Sequence, residues 1–294
     1  MQRATRVPIS GVHSPVYHVN DTSSTLDLAA ALLADTTTAT PHLTTIIADR
    51  QSAGRGRLGR TWTTPDGQAL LASTIVSLPT SFPTEMLGWL VYACALSVRD
   101  ALSPRLSPLG HTVSLKWPND VLVDGARKVC GILAGLAPAS SPFTTSAILG
   151  YGINIAQDCD HLATPQATSL YVEGDTEAGA DPTSVSHTLL ARILTGLDSR
   201  IRGLVTHGNA RDCGLADEAA NALPLLGTRI ALAKPTDPNG HPAMEGVALG
   251  LSPTGSLLVA TDDGRTHDIS AGDVLATGIP LTTVHDTKEK RANN

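Results

Sequence analysis

The sequence is poor in aromatic residues, and it has no long apolar run. Aromatic side chains make up only 3% of the 294 residues, so each of the three tryptophans is worth placing. No stretch is long and apolar enough for a membrane span, and the N-terminal segment lacks the apolar core of a signal peptide. These absences predict a cytoplasmic protein with no membrane partner.

Cysteine is also scarce, and no metal-binding pattern is present. The four cysteines form no C-x-x-C pair and are expected to be reduced thiols. The ten histidines show no H-E-x-x-H or comparable spacing, so we predict no structural metal. A formal net charge of −6 argues against a nucleic-acid surface spread over the whole protein.

Hydrophobic periodicity predicts an α+β domain in the first part of the chain. Helices are expected after a cap at Thr22 or Ser23, after a cap at Thr84, and from Asp181-Pro182 onward, where Asp caps and Pro takes the first helical position. Strands are predicted at Thr44–Ala48, Ala69–Leu78, Val113–Leu115, Val121–Val123, Val129–Leu133 and Phe143–Ile155.

After about residue 222, short β-rich runs alternate with Gly, Pro and Asp turns, which is typical of a small antiparallel barrel. The predicted strands are Arg229–Ala233, Gly246–Leu251, Ser256–Thr261 and Thr266–Ser270. We therefore predict domains at 1–222 and 223–285 and a frayed tail at 286–294. The run from Glu173 to Ala180 is interpreted as a flexible link.

The segment DRQSAGRGRLGRTW, from Asp49 to Trp62, contains the spacing G-x-G-x-x-G. A dinucleotide-binding turn of that spacing opens a helix, whereas the residues that follow here, TWTTPDG, break helices. Four arginines also lie in the loop, at positions 50, 55, 57 and 60, and their repulsion destabilises it unless an anion is bound. The alternatives are a solvated surface loop and a loop that closes over a polyanion, and glycine freedom with guanidinium geometry favours the second.

Three further segments place polar residues or glycines on predicted strands. The run KWPND at Lys116–Asp120 is either a plain turn or a ligand-facing strand end. Asp124-Gly125 predicts a tight hairpin turn that places Lys128 on the returning strand, facing either solvent or a ligand. Gly131 favours a ligand, because a strand glycine often marks a close approach, and GYGIN at Gly150–Asn154 repeats the pattern with a β-bulge as the alternative.

Taken together, GRGRLGRTW, KWPND, the run RKVCGIL from Arg127, and GIN at positions 152–154 resemble the biotin protein ligases in order and spacing. The resemblance is strong over roughly residues 20 to 156 and weaker over the C-terminal barrel. It implies a class II synthetase-like catalytic domain, a mixed sheet packed with helices, followed by a small SH3-like barrel.

The resemblance also implies a two-step reaction. Biotin and ATP, with Mg²⁺, give biotinoyl-5′-AMP and pyrophosphate. A lysine on the biotin carboxyl carrier domain of an acyl-CoA carboxylase then attacks this mixed anhydride. Fixed cations would stabilise the charge that develops at the α-phosphorus, and no enzyme nucleophile is needed.

Site residues follow from the matching positions. Lys128 and Arg57 would act in catalysis. Biotin or its adenylate would be contacted by Ser24, Thr25, Gln51, Gly54, Arg55, Gly56, Arg57, Trp62, Lys128 and Gly131. The nucleotide would be contacted by Arg60, Asn119, Asp120 and Asn154.

The sequence departs from the family pattern at two places. Leu26 stands where the family often has Asn, which removes one polar contact. Relatives tend to carry a basic residue beyond the turn at Gly272-Asp273-Val274, where this chain has Leu275-Ala276-Thr277, so no ATP-phosphate contact is assigned to the barrel. Two alternative functions stay open: a lipoate or octanoate ligase or transferase of similar fold, and a non-enzymatic biotin or nucleotide sensor.

We predict that the protein binds no DNA specifically. Its net charge is −6, and about twenty residues precede the first matching helix, too few for the helix-turn-helix of family members that also repress transcription. In a mobility-shift assay at physiological salt with competitor DNA, no fragment should be retained selectively. Selective retention of one operator fragment would contradict this.

Overall fold

The structure is a computed structural model, and it describes residues 4–35, 37–141, 144–233 and 242–279. Contacts divide the chain into two compact units with a boundary after Pro224, and residues 253–255 group with the first unit. The predicted tail at 286–294 lies outside the described residues, as does part of the predicted 223–285 domain. The functional domains assigned to 1–222 and 223–285 remain predictions.

The first unit is built on an eight-stranded mixed sheet. Its strands are β1 (Thr5–Arg6), β2 (Val16–Thr22), β3 (Thr45–Gln51), β4 (Ala69–Pro79), β5 (Val113–Lys116), β6 (Asp120–Val123), β7 (Arg127–Ser141) and β8 (Thr144–Asn154). They lie in the order β1-β2-β3-β4-β8-β7-β6-β5, and only the pair β2–β3 is parallel. The central strands β4 and β8 are buried along most of their length, as their apolar sequences require.

The helices of this unit are α1 (Thr25–Ala34), α2 (Gly88–Leu106), α3 (Thr176–Ala180), α4 (Pro182–His207) and α5 (Leu215–Ala222). Helix α1 packs Ala29 and Leu33 against Ile75 and Ile148 of the central strands. Helix α4 buries an apolar stripe at Val185, Leu189, Ile193, Leu197 and Ile201, and Asp181 caps the helix as expected. No helix in the described part of the chain is both long and apolar enough to cross a membrane.

Two of the predicted helix caps are wrong. Helix α1 is capped by Ser24, whose Oγ accepts a hydrogen bond from the Leu26 amide, and not by Thr22 or Ser23. Thr22 instead ends β2, a strand that the sequence analysis missed. Thr84 begins a 3₁₀ turn without a side-chain cap, and α2 starts after that turn.

The run from Glu173 to Ala180 is an ordered connection, and its prediction as a flexible link is wrong. It contains α3, which the Asp175 carboxylate caps. Glu173 and Asp175 are each only 7% exposed. Glu173 pairs with Arg127 and Asp175 pairs with Arg105, so partners distant in sequence make this polar segment rigid.

The second unit contains a five-stranded antiparallel sheet. Its strands are β9 (Arg229–Ala233), β10 (Pro242–Leu251), β11 (Leu257–Ala260), β12 (Thr266–Ile269) and β13 (Asp273–Ile279), in the order β12-β11-β10-β9-β13. Ile230, Leu257 and Val259 are fully buried and form part of its core. The predicted α+β fold with a small C-terminal antiparallel β domain is confirmed.

Candidate active site

The hairpin that joins β6 to β7 turns at Asp124 and Gly125. Both residues have positive φ, 50° and 67°, as the predicted tight turn requires. The Ala126 amide closes the turn by donating to the Val123 carbonyl at 3.1 Å. Lys128 therefore lies on the returning strand, as predicted.

Strand β7 contains a β-bulge at Val129. Leu122 of β6 pairs with Lys128, but the preceding β6 residue pairs with Cys130, so one β7 residue is extra. In a regular strand side chains alternate between faces, and positions 128 and 131 would face opposite sides. The bulge brings Lys128 to the face of Gly131, where a Cβ on that glycine would lie 3.1 Å from the lysine Nζ.

Glycines on β7 and β8 form a flat floor on this face. Gly131 and Gly152 are directly paired, and a Cβ would lie 3.1 Å from the Trp62 indole at the first and 2.6 Å at the second. Leu26 of α1 covers Gly150 in the same way, at 2.8 Å. The close approach predicted for these glycines is therefore made by side chains of this chain. The alternative at GYGIN was a β-bulge, and β8 pairs with β4 in one continuous register.

The Lys128 ammonium lies between a carboxylate and an aromatic ring. Its Nζ is 2.6 Å from Asp120 Oδ1 and 5.6 Å from the centroid of the Trp62 ring. This close contact is an ion pair. With 34% of its side chain exposed, Lys128 is held in one direction and is still reachable by an anion.

The arginine-glycine loop folds back on itself as a narrow hairpin. The Gly56 amide donates to the Arg60 carbonyl at 2.7 Å, and the Trp62 amide donates to the Gly54 carbonyl at 2.9 Å. A Cβ at Gly54 would lie 2.3 Å from the Trp62 carbonyl, so only glycine fits there. This hairpin delivers the Trp62 indole to the glycine floor.

The loop arginines Arg55 and Arg57 are among those tied to other elements. Arg57 Nη1 donates to Asn119 Oδ1 at 3.2 Å, and Asn119 Nδ2 donates to the Ile132 carbonyl of β7 at 2.7 Å. Arg55 forms an ion pair with Asp27 of α1, and both side chains are about half exposed. An anionic ligand can replace such exposed partners at little cost.

Thr25 and Gln51 form a polar pair beside the loop. The amide and hydroxyl of Thr25 both donate to Gln51 Oε1, at 2.8 and 3.1 Å, and the Ser73 hydroxyl donates to Thr25 Oγ1 at 2.8 Å. Gln51 Nε2 lies 3.1 Å from where a Cβ on Gly54 would be. Contacts therefore run continuously from α1 through the loop to Lys128.

Three other predicted site residues make different contacts. Asn154 is buried, and its amide donates to the Thr168 carbonyl and accepts from Gln157. The Ser24 hydroxyl is occupied in capping α1. Arg60 is exposed at the loop, where its carbonyl closes the hairpin. The ligand contacts assigned to these residues remain predictions.

A cluster of possible metal ligands lies beside the hairpin, but an arginine occupies it. His111, Asp124 and Glu173 each place one ligand atom within 4.8 Å of the others. Arg127 donates to Asp124 at 2.7 Å and to Glu173 at 2.6 and 2.8 Å. Hydrogen bonds from the Thr112 amide and from His111 hold the pKa of Asp124 below its ordinary value. The guanidinium supplies the cation, and we assign no metal here.

Two thiols lie within the core. Cys94 and Cys130 are both fully buried. Desolvation raises the pKa of Cys94 to about 12 and raises that of Cys130 well above its ordinary value. Both thiols are protonated at neutral pH and offer no nucleophile.

Comparison with known proteins assigns this arrangement to a family. A family model described as the biotin/lipoate A/B protein ligase family matches residues 20–154, and one described as the biotin protein ligase C terminal domain matches residues 236–275. The biotin–[acetyl-CoA-carboxylase] ligase of Mycobacterium tuberculosis is 34% identical over 78% of this chain and 77% of its own length. The chain belongs to the biotin protein ligase family.

Two further relatives agree with that assignment. The biotin–[acetyl-CoA-carboxylase] ligase of Paracoccus denitrificans is 32% identical over 79% of this chain and 90% of its own length. The solved biotin protein ligase from Aquifex aeolicus, in complex with biotin and ATP, is 26% identical with a TM-score of 0.62. That match covers 90% of this chain and 99% of the Aquifex chain. The predicted membership of the biotin protein ligase family is confirmed.

The glycine floor makes a testable prediction. In Gly152→Ala the new methyl group overlaps the indole, so Trp62 should leave the floor and the free energy of unfolding should fall by about 1–3 kcal/mol. Urea unfolding measures the second effect and acrylamide quenching of tryptophan fluorescence the first, because Trp89 and Trp117 are only 1% and 2% exposed.

Gly135→Ala is the matched control on β7, where nothing lies within 4 Å of an added Cβ. It should leave both stability and quenching near those of the parent. If Gly152→Ala behaves like Gly135→Ala, the indole does not lie against this floor.

Proposed function

We propose that the protein attaches biotin, at the expense of ATP, to a lysine on the biotin carboxyl carrier domain of an acyl-CoA carboxylase, with biotinoyl-5′-AMP as the intermediate. Family membership supports the reaction, and one observation carries the assignment of residues. The Lys128 ammonium and the Trp62 indole lie against the glycine floor, and Arg57 donates to Asn119, the neighbour in sequence of the Asp120 that pairs with Lys128.

In the first step the biotin carboxylate attacks the α-phosphorus of ATP, and pyrophosphate leaves. Two anions must be brought together, so the main requirements are positioning and positive charge. Lys128 and Arg57 meet these requirements, because each has a polar partner that fixes its direction and each is partly exposed. Mg²⁺ bound with ATP would neutralise triphosphate charge, and the Asp120 carboxylate would offer it an oxygen ligand.

The other residues complete the site. Thr25 and Gln51 supply a fixed set of hydrogen-bonding groups at the end of β3, suited to the polar part of biotin. Gly54 and Gly56 let the loop fold closely over a ligand. Asn119 orients Arg57 from the strand end, on the side we assign to the nucleotide.

In the second step the carrier lysine attacks the carbonyl of the mixed anhydride and AMP leaves. No protein nucleophile is required, which agrees with the buried, protonated state of Cys94 and Cys130. A loop that covers the adenylate would keep this reactive anhydride from water and from other amines until the carrier arrives. A cytoplasmic location, where such carriers are made, and the absence of DNA binding remain predictions.

Lys128→Ala should slow biotin-dependent exchange of pyrophosphate into ATP by about a hundred- to a thousandfold, since a fixed cation in the transition state contributes about 3–4 kcal/mol. Lys116→Ala, which removes an exposed lysine on β5, is the control and should keep the parent's rate. The assay is run with biotin, lipoate and octanoate in turn.

Two outcomes would count against the proposal. A folded Lys128→Ala protein with the parent's rate would remove Lys128 from the chemistry. Exchange that depends on lipoate or octanoate but not on biotin would overturn the substrate assignment.

Arg57→Gly should separate making the adenylate from keeping it. Adenylation slows but continues, because Lys128 and other arginines remain. Loss of one charged contact of about 1.5–3 kcal/mol should speed escape of the adenylate by about tenfold to a hundredfold or more. Released biotinoyl-AMP acylates any exposed lysine, so albumin added to the reaction should become biotinylated.

Leu58→Gly is the control for added loop flexibility, because Leu58 is a neighbouring loop residue and already has positive φ, 59°. It should label albumin no more than the parent does. If Arg57→Gly forms adenylate and still spares albumin, Arg57 does not hold the loop closed over the ligand.

A further inference from the structure

The backbone of Lys128 is held by a connection outside the sheet. Strand β8 pairs with β7 from Cys130 onward, and beside Lys128 its place is taken by residues 166–168. The Lys128 amide donates to the Gln166 carbonyl at 2.7 Å, and the Thr168 amide donates to the Lys128 carbonyl at 2.8 Å. The result is a one-residue parallel bridge between Lys128 and Ala167. The backbone amide and carbonyl of Lys128, next to the bulge, therefore bond to this connection in place of β8.

A single buried carboxylate ties this connection to β7. Glu173 Oε1 accepts from the Thr168 hydroxyl and from Arg127 Nε, both at 2.6 Å, and Oε2 accepts from Arg127 Nη2 at 2.8 Å. Arg127 directly precedes Lys128, and Thr168 binds the Lys128 carbonyl. Glu173 therefore fixes the backbone on both sides of the lysine.

We propose that Glu173 is a positioning residue for adenylate formation, which acts by holding Lys128 in the direction set by the bulge. This inference rests on the proposed role of Lys128. Charge-assisted hydrogen bonds are directional, and a bulge has fewer strand hydrogen bonds to resist displacement. When the carboxylate is lost, Arg127 and Thr168 lose the group that joins them, and the long lysine side chain carries a small backbone shift to its Nζ.

The alternative is that Glu173 serves only the stability of the fold, and the chain contains a matched control for it. Asp175 lies two residues away and is also 7% exposed. It accepts two hydrogen bonds from Arg105, at 2.6 and 2.9 Å, and none of its described contacts reaches Lys128. Asp175→Asn therefore breaks a similar buried ion pair in the same segment without disturbing the lysine.

Single-turnover formation of biotinoyl-AMP, with urea unfolding in parallel, tests the proposal on the full chain. Glu173→Gln should lower the rate by about ten- to a hundredfold, the scale of a small misplacement in an active site. Asp175→Asn, with a comparable loss of stability, should stay within about twofold of the parent. Equal rates for the two variants would overturn the positioning role.

A double-mutant cycle measures the coupling between Glu173→Gln and Lys128→Ala. A purely structural role of Glu173 would give no such coupling. If Glu173 acts through Lys128, Glu173→Gln should change the residual rate of Lys128→Ala by less than about twofold. Additive losses would overturn the proposal and leave the role of Lys128 intact. A Lys128→Ala protein with the parent's rate would instead refute the proposed function of that lysine.

Thr168→Val keeps the experiment decisive if Glu173→Gln fails to fold. This change removes only the hydroxyl group that donates a hydrogen bond to Glu173, and valine has nearly the same shape as the buried threonine. It should lower the adenylation rate in the parent and leave the rate of Lys128→Ala unchanged. The parent's rate in a folded Thr168→Val protein, or an additive loss in the cycle, would overturn the proposal.

Discussion

The extra residue at Val129 is the constraint on which the arrangement of the site depends. Without it, strand alternation would direct Lys128 to the face opposite Gly131, away from the glycine floor and from Trp62. With it, ammonium, indole and floor share one face. The bulge disturbs the pairing with β6, and on the other side of β7, where the β8 pairing stops at Cys130, the connection at 166–168 supplies hydrogen bonds to the Lys128 backbone. The direction of one lysine therefore depends on three separate segments of the chain.

One ion pair beside the proposed site is exposed enough for an anion to displace it. Arg55 pairs with Asp27 where both are about half exposed, and an exposed ion pair of that kind contributes only about 0–1 kcal/mol. A phosphate or carboxylate that replaces Asp27 gains charge-assisted hydrogen bonds, which are stronger. The paired groups that fix the scaffold differ, because Glu173 and Asp175 are buried and removal of either would leave an uncompensated charge. The exposed pair can therefore exchange its carboxylate for another anion, whereas the buried pairs continue to hold the scaffold.

Much of the fold and of the site follows from local sequence. The turn at Asp124-Gly125, the long helix from Pro182 and the sequence of strands reflect turn chemistry and periodicity, which act over a few residues. Other features depend on contacts between segments distant in sequence, so no local pattern predicts them. These are the bulge, the cap at Ser24 and the ordered connection at Glu173. One local feature does indicate a further site residue. Ser73 is a polar residue within the apolar run of β4, and its hydroxyl donates to Thr25.

The position of Trp62 connects loop order to ligand binding. Its Nε1 is buried and has no hydrogen-bond partner among the described residues, which costs about 1–3 kcal/mol. Contact of the indole with Gly131 and Gly152 offsets that cost, because apolar surface of the ring and of the glycine floor is removed from water. In the proposed site, a ligand that offers an acceptor at this point would satisfy the donor. The loop that carries the arginines is therefore held against the sheet by an apolar contact that leaves one buried donor unsatisfied, and a bound acceptor would shift that balance.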